Sequence, residues 1–297
     1  MPRLLSGFRE KLKVMQAGVS KRELVEMLNE ASLVPKRSLG QNFLIDKNYA
    51  YKIAEACALA GSQLLEIGPG LGSLSVPLAE LVGSVVAIEK DQRIAEVLSR
   101  LVQSRAIGNL EVVAGDALEV DLESLMRTRS LCGIVGNLPY NISVPLIMKI
   151  IEEVPTALEM VFLVQTEVAQ RLCANPGTRD SSFASLKVQL FCEVRLEMKV
   201  PNTVFVPVPN VSSSLIKLSR STKFVMGRSQ SVIDAALGAA KRAFAHRRQM
   251  LRRTLELNLF GEALIASGID PTRRPESLRI TEWLDLGEAI VTLELSL

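Results

Sequence analysis

Short apolar runs alternate with amphipathic stretches through the first two-thirds of the chain. Residues 64–67, 85–88, 111–113 and 134–136 each read as a short strand, too brief and too apolar for a helical face. The first strand runs into Gly68-Pro69-Gly70-Leu71-Gly72, and an amphipathic stretch follows with Leu74, Leu78 and Leu81 on one face. Strand, glycine turn and helix form the first βα unit of a nucleotide-binding sheet, so the alternation predicts an α/β fold of Rossmann-like type. It ends in apolar runs near 188–194 and 215–218, and the polar segment Ser219-Arg220-Ser221-Thr222-Lys223 reads as a linker. Beyond it the period is helical, with a long basic helix across 235–255, a turn of helix at 259–265 and a further stretch at 282–293, punctuated by Gly261, Gly268 and Pro271. Near the start, Ser20-Lys21-Arg22-Glu23 fits a capping box that opens a helix through Leu24, Leu28 and Ala31. The pattern divides the chain into an N-terminal extension (1–35), a sheet domain (36–221) and a small all-helical C-terminal domain (222–297).

Composition narrows the options. With 297 residues and 48% hydrophobic content there is room for one large α/β domain and a smaller partner. No apolar stretch of about 18 residues lacks a charge, proline or polar break, which argues against a membrane partner. The N-terminus lacks a basic-then-apolar signal layout, so a cytoplasmic location is expected. The four cysteines, Cys57, Cys132, Cys173 and Cys192, are widely separated and read as reduced thiols rather than a disulfide scaffold or zinc site. One histidine, His246, leaves little material for a histidine-based triad or metal centre, and no metal is expected.

Candidate chemistry comes from the ends of the predicted strands. The glycine spacing is Gly-x-Gly-x-Gly, not that of a dinucleotide loop, and Pro69 removes an amide that a pyrophosphate would use. The second strand ends in Glu89, about 20 residues on, where a carboxylate can take both hydroxyls of a ribose. The third leads to Gly115-Asp116-Ala117, and Asp116 can accept a hydrogen bond from an adenine amino group. The fourth delivers Asn137-Leu138-Pro139-Tyr140. The lone pair of an adenine N6 is delocalised into the ring, so that nitrogen is a poor nucleophile. Acceptors for its two N–H bonds favour a tetrahedral, more nucleophilic geometry, and an aromatic face can stack on a base drawn out of its strand. Asn137, the Leu138 carbonyl and the Tyr140 ring carry those parts, with Pro139 stiffening the turn. Alone, the tetrapeptide fits an ordinary Asx turn equally well. With four such features at the carboxyl edge of one parallel sheet, S-adenosyl-L-methionine becomes the expected ligand.

Charge adds an expected partner. The net charge is only +3, but the stretch 235–255 is rich in cations and holds no acidic residue. Lys241, Arg242, Arg247, Arg248, Arg252 and Arg253 flank an apolar face of Leu237, Ala240, Phe244, Leu251 and Leu255, and read either as a phosphate track or as a solvated basic face.

Together these blocks resemble the small-subunit (16S) ribosomal RNA adenine N6,N6-dimethyltransferases, from about Lys36 to Trp283. The resemblance rests on Ser38-Leu39-Gly40-Gln41-Asn42-Phe43-Leu44, Glu66-Ile67-Gly68-Pro69-Gly70-Leu71-Gly72, Ala87-Ile88-Glu89, Gly115-Asp116-Ala117 and Gly136-Asn137-Leu138-Pro139-Tyr140-Asn141-Ile142-Ser143. It continues through Gln165-Thr166-Glu167-Val168-Ala169, Phe205-Val206-Pro207-Val208-Pro209-Asn210-Val211 and Ala243-Phe244-Ala245-His246-Arg247-Arg248. It implies that Asn42 and Leu44 close over S-adenosyl-L-methionine, that Gly68 lines its pocket, that Glu89 holds its ribose and Asp116 its adenine, and that Asn137 sits between donor and acceptor. It implies that Tyr140 and Phe205 sandwich the flipped base. It further implies dimethylation of two adjacent adenines near the 3′ end of small-subunit ribosomal RNA, in a precursor of the small subunit, by a monomer. Ser182-Phe183-Ala184-Ser185-Leu186 stands where the family usually has an aromatic-Gly segment, which leaves that loop's RNA contacts open. Three alternatives share parts of the pattern. One is a large-subunit rRNA adenine methyltransferase of the antibiotic-resistance type, the second a glutamine-amide or DNA-adenine methyltransferase, the third a ribosome-assembly factor with secondary catalytic activity.

Overall fold

The computed structural model describes residues 18–30, 42–58 and 62–295. Arg3, Arg9, Lys11 and Lys13, which make the N-terminal extension weakly basic, Ala31, and Ser38-Leu39-Gly40-Gln41 of the first family block lie outside these residues. The order is α1 (Lys21–Glu30), β1 (Phe43–Leu44), α2 (Lys47–Cys57), β2 (Gln63–Ile67), α3 (Ser75–Leu81), β3 (Ser84–Glu89), α4 (Gln92–Ser104), β4 (Leu110–Ala114), α5 (Leu122–Thr128), β5 (Gly133–Asn137), α6 (Ser143–Glu153) and β6 (Glu159–Gln165). Then come α7 (Thr166–Leu172), α8 (Phe183–Phe191), β7 (Cys192–Val200), β8 (Phe205–Val206), β9 (Ser213–Arg220), α9 (Gln230–Ala245), α10 (Leu251–Thr254), α11 (Leu257–Ala266) and α12 (Ile280–Thr292).

The main sheet has the strand order β4-β3-β2-β5-β6-β9-β7. From β4 to β6 the strands are parallel, with Leu65 between Val86 and Ile134 at the centre. Helices cover both faces of a parallel sheet, so its strands are mostly apolar: β3 runs through Val85-Val86-Ala87-Ile88, and β2 is buried from Leu64 to Ile67 with Glu66 as the exception. The strand order reverses between β2 and β5, and ligands of open α/β sheets bind at such a switch point. At the end of β6 the Thr166 N–H donates to the Ser212 carbonyl just before β9 (3.0 Å), so β6 and β9 run in opposite directions. A two-stranded ribbon pairs β1 with β8, setting Leu44 opposite Phe205.

The described chain forms two compact units. One comprises the described residues up to Ala169 with Arg195–Leu218; the other comprises Gln170–Val194 with the described residues from Ser219 onward. The second unit has its own core, in which α9 and α12 bury Ala236, Ala239, Ala240, Ala243, Trp283, Leu286 and Ile290 together with Leu186 and Leu190 of α8. The apolar run at 188–194 is split between the end of α8 and the start of β7. A capping box between Ser182 and Ser185 opens α8, and Leu186 and Leu190, four residues apart, then share one helical face.

The long basic helix expected across 235–255 is broken. Helix α9 ends at Ala245, His246 caps it, and a turn leads to the four-residue α10. Continuing the buried face of Ala236, Ala239, Ala240 and Ala243 would carry His246, Arg247 and Met250 into the core. Burying an unpaired guanidinium is too costly. The chain turns instead, leaving those residues exposed while Leu251 and Leu255 are fully buried. Near the start of the described chain, the Ser20–Glu23 capping box forms as expected, each residue's N–H donating to the other's side chain (2.8 and 3.2 Å). The helix it opens does not stand apart: Leu24, Met27 and Leu28 pack in one cluster with Phe43, Leu71, Val76, Ile94 and Val97.

Candidate active site

A cavity of about 500 Å³ lies at the carboxyl edge of the parallel strands, within the range of small-ligand sites. Its walls include Asn42, Phe43, Leu44, Gly68, Glu89, Asp116, Asn137, Leu138, Pro139 and Tyr140. All the residues read as donor-binding therefore meet at one cavity, because β2, β3, β4 and β5 end side by side.

The glycine loop makes the close approaches that shape it. Gly70 has φ +56°, a left-handed conformation that favours glycine, and a Cβ there would press on the Phe43 ring at 3.1 Å. Gly136 lies against β2, where a Cβ would come within 2.5 Å of the Ile67 carbonyl oxygen. That approach brings the end of β5, and with it Asn137, against the glycine turn.

Glu89 is buried, and its carboxylate accepts one N–H on each oxygen, from Gly70 (3.1 Å) and Asp91 (3.0 Å). Burial raises its pKa, while those two bonds favour the charged form. Each oxygen keeps acceptor capacity, which suits a vicinal diol. Asp116 is differently held: its carboxylate takes the Lys90 ammonium (2.5 Å) and the Leu118 N–H (2.9 Å). The bond from Lys90, chiefly, lowers its pKa. Lys90 is exposed, so this surface pair leaves Asp116 open to a further donor.

Asn137 donates from Nδ2 to the Asn42 carbonyl (3.0 Å). That bond orients the carboxamide and leaves Oδ1 as an acceptor. Next along the loop, the Leu138 N–H donates to the Leu163 carbonyl (3.2 Å), while the carbonyls of Pro139 and Tyr140 accept from Ile142 and Ser143. The Leu138 carbonyl accepts nothing among the described residues, so two acceptors, Asn137 Oδ1 and Leu138 O, remain for an exocyclic amine. The Tyr140 ring lines the same cavity, its hydroxyl tied to Ser213 Oγ (2.7 Å).

Phe205 departs from expectation. It is fully buried in the core around Leu44, Val161, Leu163 and Leu215 and does not line the cavity, because its pairing with Leu44 draws β8 against β1. In this structure it offers no ring face to a base.

Glu66 had no role assigned from sequence, yet it lines the cavity at 1% exposure and its Oε2 has no hydrogen-bond partner among the described residues. Burial, foremost, pushes its pKa up to about 8. The clue in the sequence was an acidic residue within an otherwise apolar strand. Buried Glu66 and Glu89, whose oxygens keep acceptor capacity, suit the hydroxyls and nitrogens of a nucleoside-sized ligand.

The cations sit in the second unit. Lys241 lies near the end of α9, Arg247 and Arg248 in the turn, and Arg252 and Arg253 on α10, all exposed. Arg242 is paired with Glu256, and Arg247 donates to the Arg179 carbonyl (2.6 Å). Among the described residues the four cysteines are free thiols, no cluster suits a metal ion, and no helix is long and apolar enough to cross a membrane.

The sheet order, the glycine turn and the acidic residues at successive strand ends define a Rossmann-like methyltransferase. The fold is similar to that of a dimethyladenosine transferase from Plasmodium falciparum (TM-score 0.71, 24% identity, covering 85% of this chain and 98% of that one). It is also similar to that of the 23S rRNA methyltransferase ErmE (TM-score 0.64, 24% identity, 84% and 100% covered). A model described as ribosomal RNA adenine dimethylase matches residues 34–291, and the chain belongs to that family. Among its relatives is the ribosomal RNA small subunit methyltransferase A of Moorella thermoacetica, 37% identical over 278 residues, covering 89% of this chain and 95% of that protein. The protein of the same name from Bacillus thuringiensis (strain Al Hakam) is 38% identical over 275 residues, covering 88% and 93%.

Proposed function

We propose that this chain dimethylates N6 of two adjacent adenines near the 3′ end of small-subunit ribosomal RNA, with S-adenosyl-L-methionine as methyl donor. The observation that carries the reading is the pair of acceptors left open among the described residues, Asn137 Oδ1 and Leu138 O, at a cavity whose other wall suits a nucleoside. When bound, the donor supplies a methyl carbon on a positively charged sulfur. Glu89 takes the ribose hydroxyls, Asp116 the adenine amino group, and Asn42, Leu44 and Gly68 enclose the rest. Asn137 and Leu138 accept the two N–H bonds of the target amine and turn its lone pair toward the methyl carbon. Pro139 holds the turn and Tyr140 stacks on the base; Phe205 joins it only if β8 shifts from its place in the core. Positioning of the two reactants and fixed polar groups supply most of the acceleration. No residue need act as a strong base, because the alkylated nitrogen is acidic enough to lose its proton to water.

Lys241, Arg242, Arg247, Arg248, Arg252 and Arg253 supply the grip on RNA phosphates. One chain carries both the donor cavity and the cationic tract, so a monomer suffices, and a cytoplasmic precursor of the small subunit is the proposed partner. The test is transfer of labelled methyl groups to small subunits lacking the modification, with large subunits and naked DNA as controls. Label recovered as N6,N6-dimethyladenosine in small-subunit RNA alone is the expected result. Label in large-subunit RNA, or none despite donor binding, would overturn it.

A further inference from the structure

Tyr140 is held at both ends. Its backbone carbonyl accepts from the Ser143 hydroxyl (3.2 Å) at the start of α6, and its phenol shares a hydrogen bond with Ser213 Oγ (2.7 Å) at the start of β9. Tyr140 follows β5, and Ser213 lies two strands away across β6, so this bond spans the edge of the sheet beside the cavity. Ser213 is fully buried. Its neighbours pin it: Ser212 and Ser214 each share a hydrogen bond with Thr166 Oγ1 (3.0 Å each), and the Thr166 N–H donates to the Ser212 carbonyl (3.0 Å). The hydroxyl cluster thus joins the end of β6 to the beginning of β9 and offers Tyr140 a rigid anchor.

We propose that Ser213 is a positioning residue for methyl transfer, fixing the tilt and depth of the Tyr140 ring so that a stacked adenine presents its amine to Asn137 Oδ1 and Leu138 O. The inference rests on the adenine-methylating reading and adds a residue to it. An untethered aromatic ring still stacks, but it turns about χ1 and χ2 and carries the base with it. A displacement of about 1 Å at the reacting atoms is enough to cost up to about 100-fold in rate. Burial raises the Tyr140 pKa, so the phenol stays protonated at neutral pH and keeps its hydrogen-bonding role. The hydroxyl serves as a tether and takes no part in proton transfer.

The test is a double-mutant cycle on the full chain with small ribosomal subunits as substrate. Ser213→Ala and Tyr140→Phe should each lower kcat by roughly two- to tenfold, the range of one neutral hydrogen bond. Donor affinity by calorimetry and the thermal midpoint should be little changed in either variant. The double variant should be no slower than the worse single one, because both substitutions remove the same tether. Multiplying losses, or a Ser213→Ala enzyme with wild-type kcat, would overturn the inference while leaving the wild-type activity intact. A wild-type protein that transfers no methyl groups would overturn the functional reading itself, and the inference with it.

Discussion

In the sheet unit, several of the polar groups at the cavity are tied to backbone: Glu89 to the amides of Gly70 and Asp91, Asn137 to the Asn42 carbonyl, and Leu138 to Leu163. In the helical unit, Lys241, Arg248, Arg252 and Arg253 are exposed and make no salt bridge among the described residues. A group fixed by two backbone bonds has lost its freedom before a ligand arrives, so it can place atoms. A solvated cation on a flexible stem cannot, but it can release counterions from a phosphate backbone wherever the phosphates fall. On the proposed function, the two units divide recognition accordingly, geometry in one and charge in the other.

That contrast can be broken from the rigid side first. Asn137→Ala should lower methyl transfer by about 10²–10³, the usual cost of removing a preorganised polar group, with donor affinity changed far less. Single-turnover kinetics beside calorimetry would separate the two effects, and wild-type rates would remove Asn137 from the mechanism. Glu89→Ala should weaken donor binding by roughly 1.5–3 kcal/mol for each charge-assisted bond it removes. An unchanged dissociation constant would mean the ribose lies elsewhere.

The charge side is probed next. Neutralising Arg248, Arg252 and Arg253 should flatten the salt dependence of RNA binding, by up to about 0.9 in log–log slope for each duplex phosphate that a removed cation had neutralised. Donor affinity should not move. An unaltered slope would return the tract to a solvated basic face.

The smallest expected effect on function is a stability effect at Glu66. Its folded-state pKa is raised to about 8, above the ordinary glutamate value expected in the unfolded chain. The stabilisation is therefore full below that ordinary value, and it is lost as pH rises through the window up to about 8. The slope is about 1.4 kcal/mol per pH unit where the unfolded group is ionised and the folded one is not. Glu66→Gln should remove that component of the pH dependence, as measured by denaturant unfolding between about pH 5.5 and 8. Equal slopes in both proteins would show that Glu66 is already ionised in the fold.

How much of this is legible in the chain follows from what each signal depends on. The strands expected at 64–67, 85–88, 111–113 and 134–136 form within a residue or two of those bounds, since short runs rich in apolar residues suit a sheet covered on both faces. Glu89, Asp116 and Asn137 converge because the parallel order of those strands brings their carboxyl ends together. The long basic helix does not form as expected. Charge and helical period persist through 246–250, while the need to keep Arg247 out of the core does not show in a linear pattern.

Residue types and their spacing by themselves determined the α/β class, the glycine turn, the acidic strand ends and the Asn137–Tyr140 loop, because each is set by backbone sterics or local chemistry. Tertiary structure alone decided the rest. Phe205 lies in the core rather than at the cavity, α1 packs with the β1 segment and α4, the Glu66 carboxyl is buried with no partner for one oxygen among the described residues, and Ser213 reaches Tyr140 across β6. Each of these depends on residues far apart in the chain that only the strand order brings together.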